Sequence, residues 1–121
     1  MSQGKIVVVD DDPMIRFLVQ EYLKAAGFDV DAFEGGKAAL AALSTLQPHL
    51  LVLDLQMPEM NGFEVLEKLR ADPLTAAIPV LMLSANAGEA QTRSSVLADA
   101  YLEKPFQMQA LLAAVESTKN S

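Results

Sequence analysis

Three short, nearly unbroken apolar runs constrain this chain more than any other feature: Lys5 to Asp10 (KIVVVD), Leu50 to Leu55 (LLVLDL) and Ile78 to Ser84 (IPVLMLS). Each is too short for a globular helix and lacks a polar face, so each reads as a strand buried on both sides. Between them lie segments with apolar residues at helical spacing. The first carries Ile15, Leu18, Val19, Tyr22 and Leu23, and it is bounded by an N-cap Asp12 with Pro13 at its first position and by Gly27. The second carries Ala39, Ala42, Leu43 and Leu46, and Pro48 stops it. Val65, Leu66 and Leu69 mark a third, and Met108, Leu111, Leu112 and Val115 mark the final one. Two weaker strands complete the pattern: Phe28 to Phe33 (FDVDAF) alternates strictly, and Tyr101 to Lys104 is brief.

Strands that each lead into a helix make a parallel sheet covered on both faces, because parallel neighbours need crossover connections. The alternating strand and the brief one belong at the edges. With right-handed crossovers this gives a doubly wound α/β fold of order 2-1-3-4-5, whose direction reverses between strands one and three. At 121 residues the expectation is one domain covering 1–121, and with 51% apolar residues it can bury its own core. Thr118 to Ser121 is expected to fray.

Composition removes several function classes. The chain has no cysteine, so thiolate metal sites, disulfides and a thiol nucleophile are excluded. None of the apolar runs approaches a membrane span and the N-terminus has no cleavable leader pattern, so the reading is soluble, cytoplasmic and without a membrane partner. Nine basic residues against 16 acidic ones give a net charge of −7, and the basic residues are scattered singly. From this no nucleic-acid partner is expected.

Ligands of such sheets bind beyond the carboxyl ends of the strands, where the order reverses. Strand one ends in Asp10, Asp11 and Asp12, strand three in Asp54, strand four in Ser84 and strand five in Lys104. Converging carboxylates repel unless a proton or a hard divalent cation joins them, and Mg2+ fits best because it needs few carboxylates and completes its shell with water and phosphate oxygen. Lys104 and the Ser84 hydroxyl supply a cation and a donor for phosphoryl oxygens. Asp54, alone on its strand, is the candidate nucleophile.

The motifs VVVDDDP, LVLDLQMPEMNG, VLMLSA and YLEKPF, in this order and each at the end of its strand, resemble the receiver domains of two-component response regulators, in particular the single-domain chemotaxis-regulator type. The resemblance runs from Ile6 to the final helix and implies a flavodoxin-like fold. It implies that Asp10, Asp11, Asp54 and the backbone carbonyl of Gln56 hold Mg2+, and that Asp54 accepts a phosphoryl group from a sensor histidine kinase or a histidine phosphotransfer protein. Ser84 and Lys104 then meet the phosphoryl group, Ser84 and Tyr101 act as the switch, and a downstream protein target reads the change. Gln56 and Asn86 tune the lifetime of the phosphorylated state, and the Lys104-Pro105 bond is cis. Such a domain catalyses only its own phosphoryl transfer and dephosphorylation. Output comes from binding another protein, or the chain is one domain of a larger one. Leu97 departs from the family pattern, in which a glycine is usual at that place.

Plainer readings exist for several residues. Asp12 is expected only to cap its helix, His49 to be structural, and Gly62 after Asn61 to serve a turn. Asp10 and Asp12 form an Asp-x-Asp that leaves open an aspartyl phosphatase, but Pro13 and Met14 stand where such enzymes have a glycine and a hydroxyl residue. A receiver that binds without phosphorylation is the third alternative, and the complete set of acids, hydroxyl and lysine argues against it.

Overall fold

The computed structural model describes residues 3–86, Gly88 and 98–119. Its elements in chain order are β1 (Lys5–Val9), α1 (Pro13–Ala25), β2 (Asp29–Phe33), α2 (Gly36–Leu46), β3 (Leu50–Asp54), α3 (Gly62–Ala71), β4 (Val80–Ser84), β5 (Ala100–Glu103) and α4 (Met108–Lys119). All strand pairs are parallel and the order is β2-β1-β3-β4-β5, as the sequence predicts. Most of the connection between β4 and β5, including Leu97, where the family pattern has a glycine, falls on 87 and 89–97, outside the described residues.

Alternation along the central strands divides the core in two. Val7, Val9, Leu51, Leu53, Val80 and Met82 face Ala39 and Leu43 of α2 and Val65, Leu66 and Leu69 of α3. Ile6, Val8, Leu50, Val52, Leu81 and Leu83 face Val19 and Leu23 of α1 and Leu111 and Val115 of α4. Burying each such side chain is worth about 1.5–3 kcal/mol, which is why the two-sided runs, and not local propensity, set the architecture. The edge strands behave as their texture predicts: on β2, Val30 is buried and Asp29 is exposed, while β5 has no fully buried residue.

Helix ends follow local chemistry. The Asp12 carboxylate accepts from the Met14 and Ile15 amides, and Gly27 leaves α1 at φ 98°, a conformation open to glycine at little cost. Asn61 does more than turn the chain: with Glu64 it forms a reciprocal capping box on α3. Gly62 is required by close approach, since a Cβ there would lie 2.8 Å from the Asp54 carbonyl oxygen and from Leu55 Cα. His49 is structural, accepting from the Lys5 amide through Nδ1 at 3.2 Å. Of the stretch expected to fray, 120–121 lie outside the described residues, and no fraying is observed at Thr118. Its hydroxyl donates to the Ala114 carbonyl at 2.6 Å and the residue is buried, so back-bonding satisfies the polar atom and the helix runs on to Lys119.

Candidate functional site

The carboxyl ends of β1, β3, β4 and β5 meet at one edge of the sheet, and the sequence-predicted acids meet with them. Asp10 and Asp54 are buried and Asp11 is exposed, and carboxylate oxygens of all three lie within 4.8 Å of one another. The Lys104 ammonium sits between the two buried acids, 2.8 Å from Asp54 Oδ1 and 3.2 Å from Asp10 Oδ2. Its backbone is tied to the same edge by the Lys104 amide, which donates to the Ser84 carbonyl at 2.8 Å, and the Lys104-Pro105 peptide is cis.

One ammonium against three carboxylates leaves the site short of positive charge. Burial, helped by the charges of Asp10 and Asp11, raises the Asp54 carboxyl from 3.8 to about 6 against the downward pull of the hydrogen bond and charge of Lys104. Burial alone would lower the Lys104 ammonium, but its bond to Asp54 and the negative charges of Asp54 and Asp10 outweigh that, and it ends above its ordinary value. The three acids fit a hard cation: opposite oxygens of a magnesium shell lie about 4 Å apart, so small side-chain adjustments close the set.

The remaining predicted residues fall around this cluster. Ser84 is buried at the end of β4, and its Oγ accepts from the Asn86 amide at 3.1 Å. Gln56 is exposed in the loop after β3, two residues beyond Asp54, and Asn86 is exposed beyond Ser84. Tyr101 is half-buried on β5 against the α2/α3 side of the core, and its hydroxyl accepts from the Ala98 amide at 3.1 Å.

Sequence reasoning missed Arg16. From α1 its Nη1 donates to the main-chain carbonyl of Asp10 at 2.8 Å. A bond from a side chain to a main-chain oxygen leaves no residue pattern, and helical periodicity marks the position only as polar.

With the geometry in place, the sequence matches the family described as response regulator receiver domain over residues 6–116. The chain belongs to that family. It is therefore a receiver domain of two-component signalling. It is 43% identical over 116 residues to the DNA-binding dual master transcriptional regulator RpaA of Synechocystis sp., a match covering 93% of this chain and 48% of that protein. It is 39% identical over 118 residues to the DNA-binding response regulator MtrA of Mycolicibacterium smegmatis, covering 93% and 49%. The receiver thus spans about half the length of these curated relatives. Among solved structures, the chemotaxis response regulator CheY4 of Vibrio cholerae superposes with a TM-score of 0.89 at 29% identity, covering 97% of this chain and 99% of that one.

These relatives correct one expectation. Net charge argued against a nucleic-acid partner, yet RpaA and MtrA are both named as DNA-binding. Charge summed over a receiver describes only its own surface, and the matches leave about half of each relative outside the comparison. No helix among the described residues is long and apolar enough to cross a membrane.

Proposed function

We propose that residues 1–121 act as a phosphorylation-controlled switch in which Asp54 accepts a phosphoryl group from a phosphohistidine of a sensor histidine kinase or histidine phosphotransfer protein. The observation that carries this reading is the buried Asp54 carboxylate held at 2.8 Å by Lys104 beside two further acids. Asp10, Asp11 and Asp54, with the backbone carbonyl of Gln56, are the residues that would hold Mg2+. When bound, the ion supplies positive charge for the oxygens of the transferring group.

The chain's own groups do the rest. An Asp54 oxygen attacks phosphorus as the P–N bond of the donor breaks, and the departing imidazole nitrogen keeps the electron pair and is protonated. Lys104 trades its Asp54 contact for a phosphoryl oxygen, and the Ser84 hydroxyl moves to donate to another. The conformer with Tyr101 packed inward then gains population, and a downstream protein target reads the altered surface. Gln56 and Asn86 are neutral amides beside the path of the attacking water, so they orient it without deprotonating it and set the lifetime of the phosphorylated state. No turnover of an external substrate follows from this set, and the receiver works in the cytoplasm. An aspartyl phosphatase built on Asp10 is disfavoured, because Asp12, the second acid of its Asp-x-Asp, is spent on the helix cap with the Met14 and Ile15 amides, and Asp10 Oδ1 accepts from the Asp12 amide.

Intact-mass measurement after incubation with a small phosphodonor tests the reading. One phosphoryl adduct is expected with Mg2+, none with chelator and none in Asp54→Asn. An adduct that persists in that variant overturns the assignment.

A further inference from the structure

We propose that Arg16 is a positioning residue for the acidic site, acting through the main-chain carbonyl of Asp10; the inference rests on the magnesium reading above. The sheet controls only one side of Asp10, whose amide donates to the Phe33 carbonyl at 3.2 Å. Beyond Asp10 the ladder ends, and the peptide joining it to Asp11 is held from α1, by Arg16 Nη1 on the Asp10 oxygen at 2.8 Å. Because a peptide is planar, fixing its carbonyl fixes the direction in which Asp11 starts.

Asp11 needs that control more than the other acids do. Asp10 is buried and accepts from Lys104 and from the Asp12 amide at 2.9 Å, and Asp54 is buried on Lys104. The Asp11 carboxylate is exposed, and among the described residues no hydrogen bond or ion pair holds it. Its aim comes from the main chain beneath it. Arg16 is itself well fixed: it is half-buried, its amide donates to the Asp12 carbonyl at 2.9 Å, and Asp12 caps the same helix. Asp10, Asp12 and Arg16 therefore close one hydrogen-bonded ring at the start of α1. Its guanidinium bond is charge-assisted, about twice as strong as a neutral one.

The test is the magnesium half-saturation of the whole chain, followed by NMR on the Asp10 and Asp11 amides, beside the rate of phosphorylation by a small phosphodonor. Arg16→Ala is expected to weaken magnesium binding about tenfold, the scale of losing a partner that orients a metal ligand. At saturating Mg2+ the phosphorylation rate is expected to return to within about twofold of wild type, a split that general loss of structure does not produce. Arg16→Lys, which keeps a charge and a donor, falls between the two and serves if the alanine variant does not fold. Unchanged half-saturation in the folded variants overturns the proposal, as does a loss of saturating rate at unchanged half-saturation. Asp11→Ala separates the two levels of inference. If it weakens binding while the Arg16 variants do not, the positioning role alone fails; if it too binds as wild type, the magnesium reading fails with it.

Discussion

Two corners of the sheet, at the amino ends of β4 and β5 and at the carboxyl edge, are built from the same kinds of residue and reach opposite balances. At the amino end of β4 and β5, Arg70 of α3 donates to the Ala76 and Ile78 carbonyls at 2.9 and 2.6 Å and to Asp99 at 2.9 Å. Asp99 also accepts from the Val80 amide at 2.8 Å, and nearby the buried Thr75 hydroxyl donates to the Leu69 carbonyl. Among the described residues one cation meets one anion at this corner, and main-chain groups use the remaining bonds. At the carboxyl end three carboxylates cluster, and the Lys104 ammonium pairs with two of them, Asp10 and Asp54. The first arrangement closes the fold, while the second leaves negative charge unbalanced, which under the proposed function would draw a hard cation.

The sharpest way to break the comparison is to open the closed end. Arg70→Ala strands the Ala76 and Ile78 carbonyls and removes the partner of the exposed Asp99, and a loss of about 1–2 kcal/mol in urea unfolding is expected. A loss below about 0.5 kcal/mol would mean that the amino end is not the lock it resembles.

At the carboxyl end the sign reverses. The folded Asp54 value of about 6 lies above its ordinary 3.8, so folding favours the protonated acid. Its contribution is fully present below about pH 4 and is lost as pH rises through about 6. Metal-free wild type is therefore expected to lose stability over that window. Asp54→Asn should flatten the profile and be more stable than wild type at pH 8, by about 1–2 kcal/mol once screening at the open edge is counted. A variant less stable than wild type at pH 8 would show that the Lys104 ion pair outweighs the cost of burial. Thr75→Val is the mildest probe: loss of one buried hydrogen bond at the closed end should cost about 1 kcal/mol at every pH, with no dependence on Mg2+.

The contrast also explains what could be read from the sequence. Strand order was legible because β1, β3 and β4 are apolar on both faces and β2 and β5 are not, and burial is the dominant energy. The acids were legible because they follow buried strands directly, where only function or a solvated loop accounts for them. Strand ends were less so: Asp10 and Leu55, read as the ends of their runs, fall just beyond the strands, and Ile78 and Pro79 precede β4. Arg16 and Arg70 could not be found, because both donate to main-chain oxygens whose positions exist only once the chain is folded, and the Asp99 that Arg70 also pairs with is 29 residues away. Net charge misled about nucleic acid because it averages over surface and says nothing about the rest of a longer relative.

The central claim is that the carboxyl edge is a cation site whose unbalanced charge costs stability until it is filled. Thermal unfolding with and without Mg2+, at pH 5 and at pH 8, tests it most directly. The account predicts that Mg2+ raises the midpoint of wild type, more at pH 8, where Asp54 is ionised, than at pH 5, where it is largely protonated, and that Asp11→Ala loses most of the rise. Identical midpoints with and without Mg2+ at both pH values would contradict it.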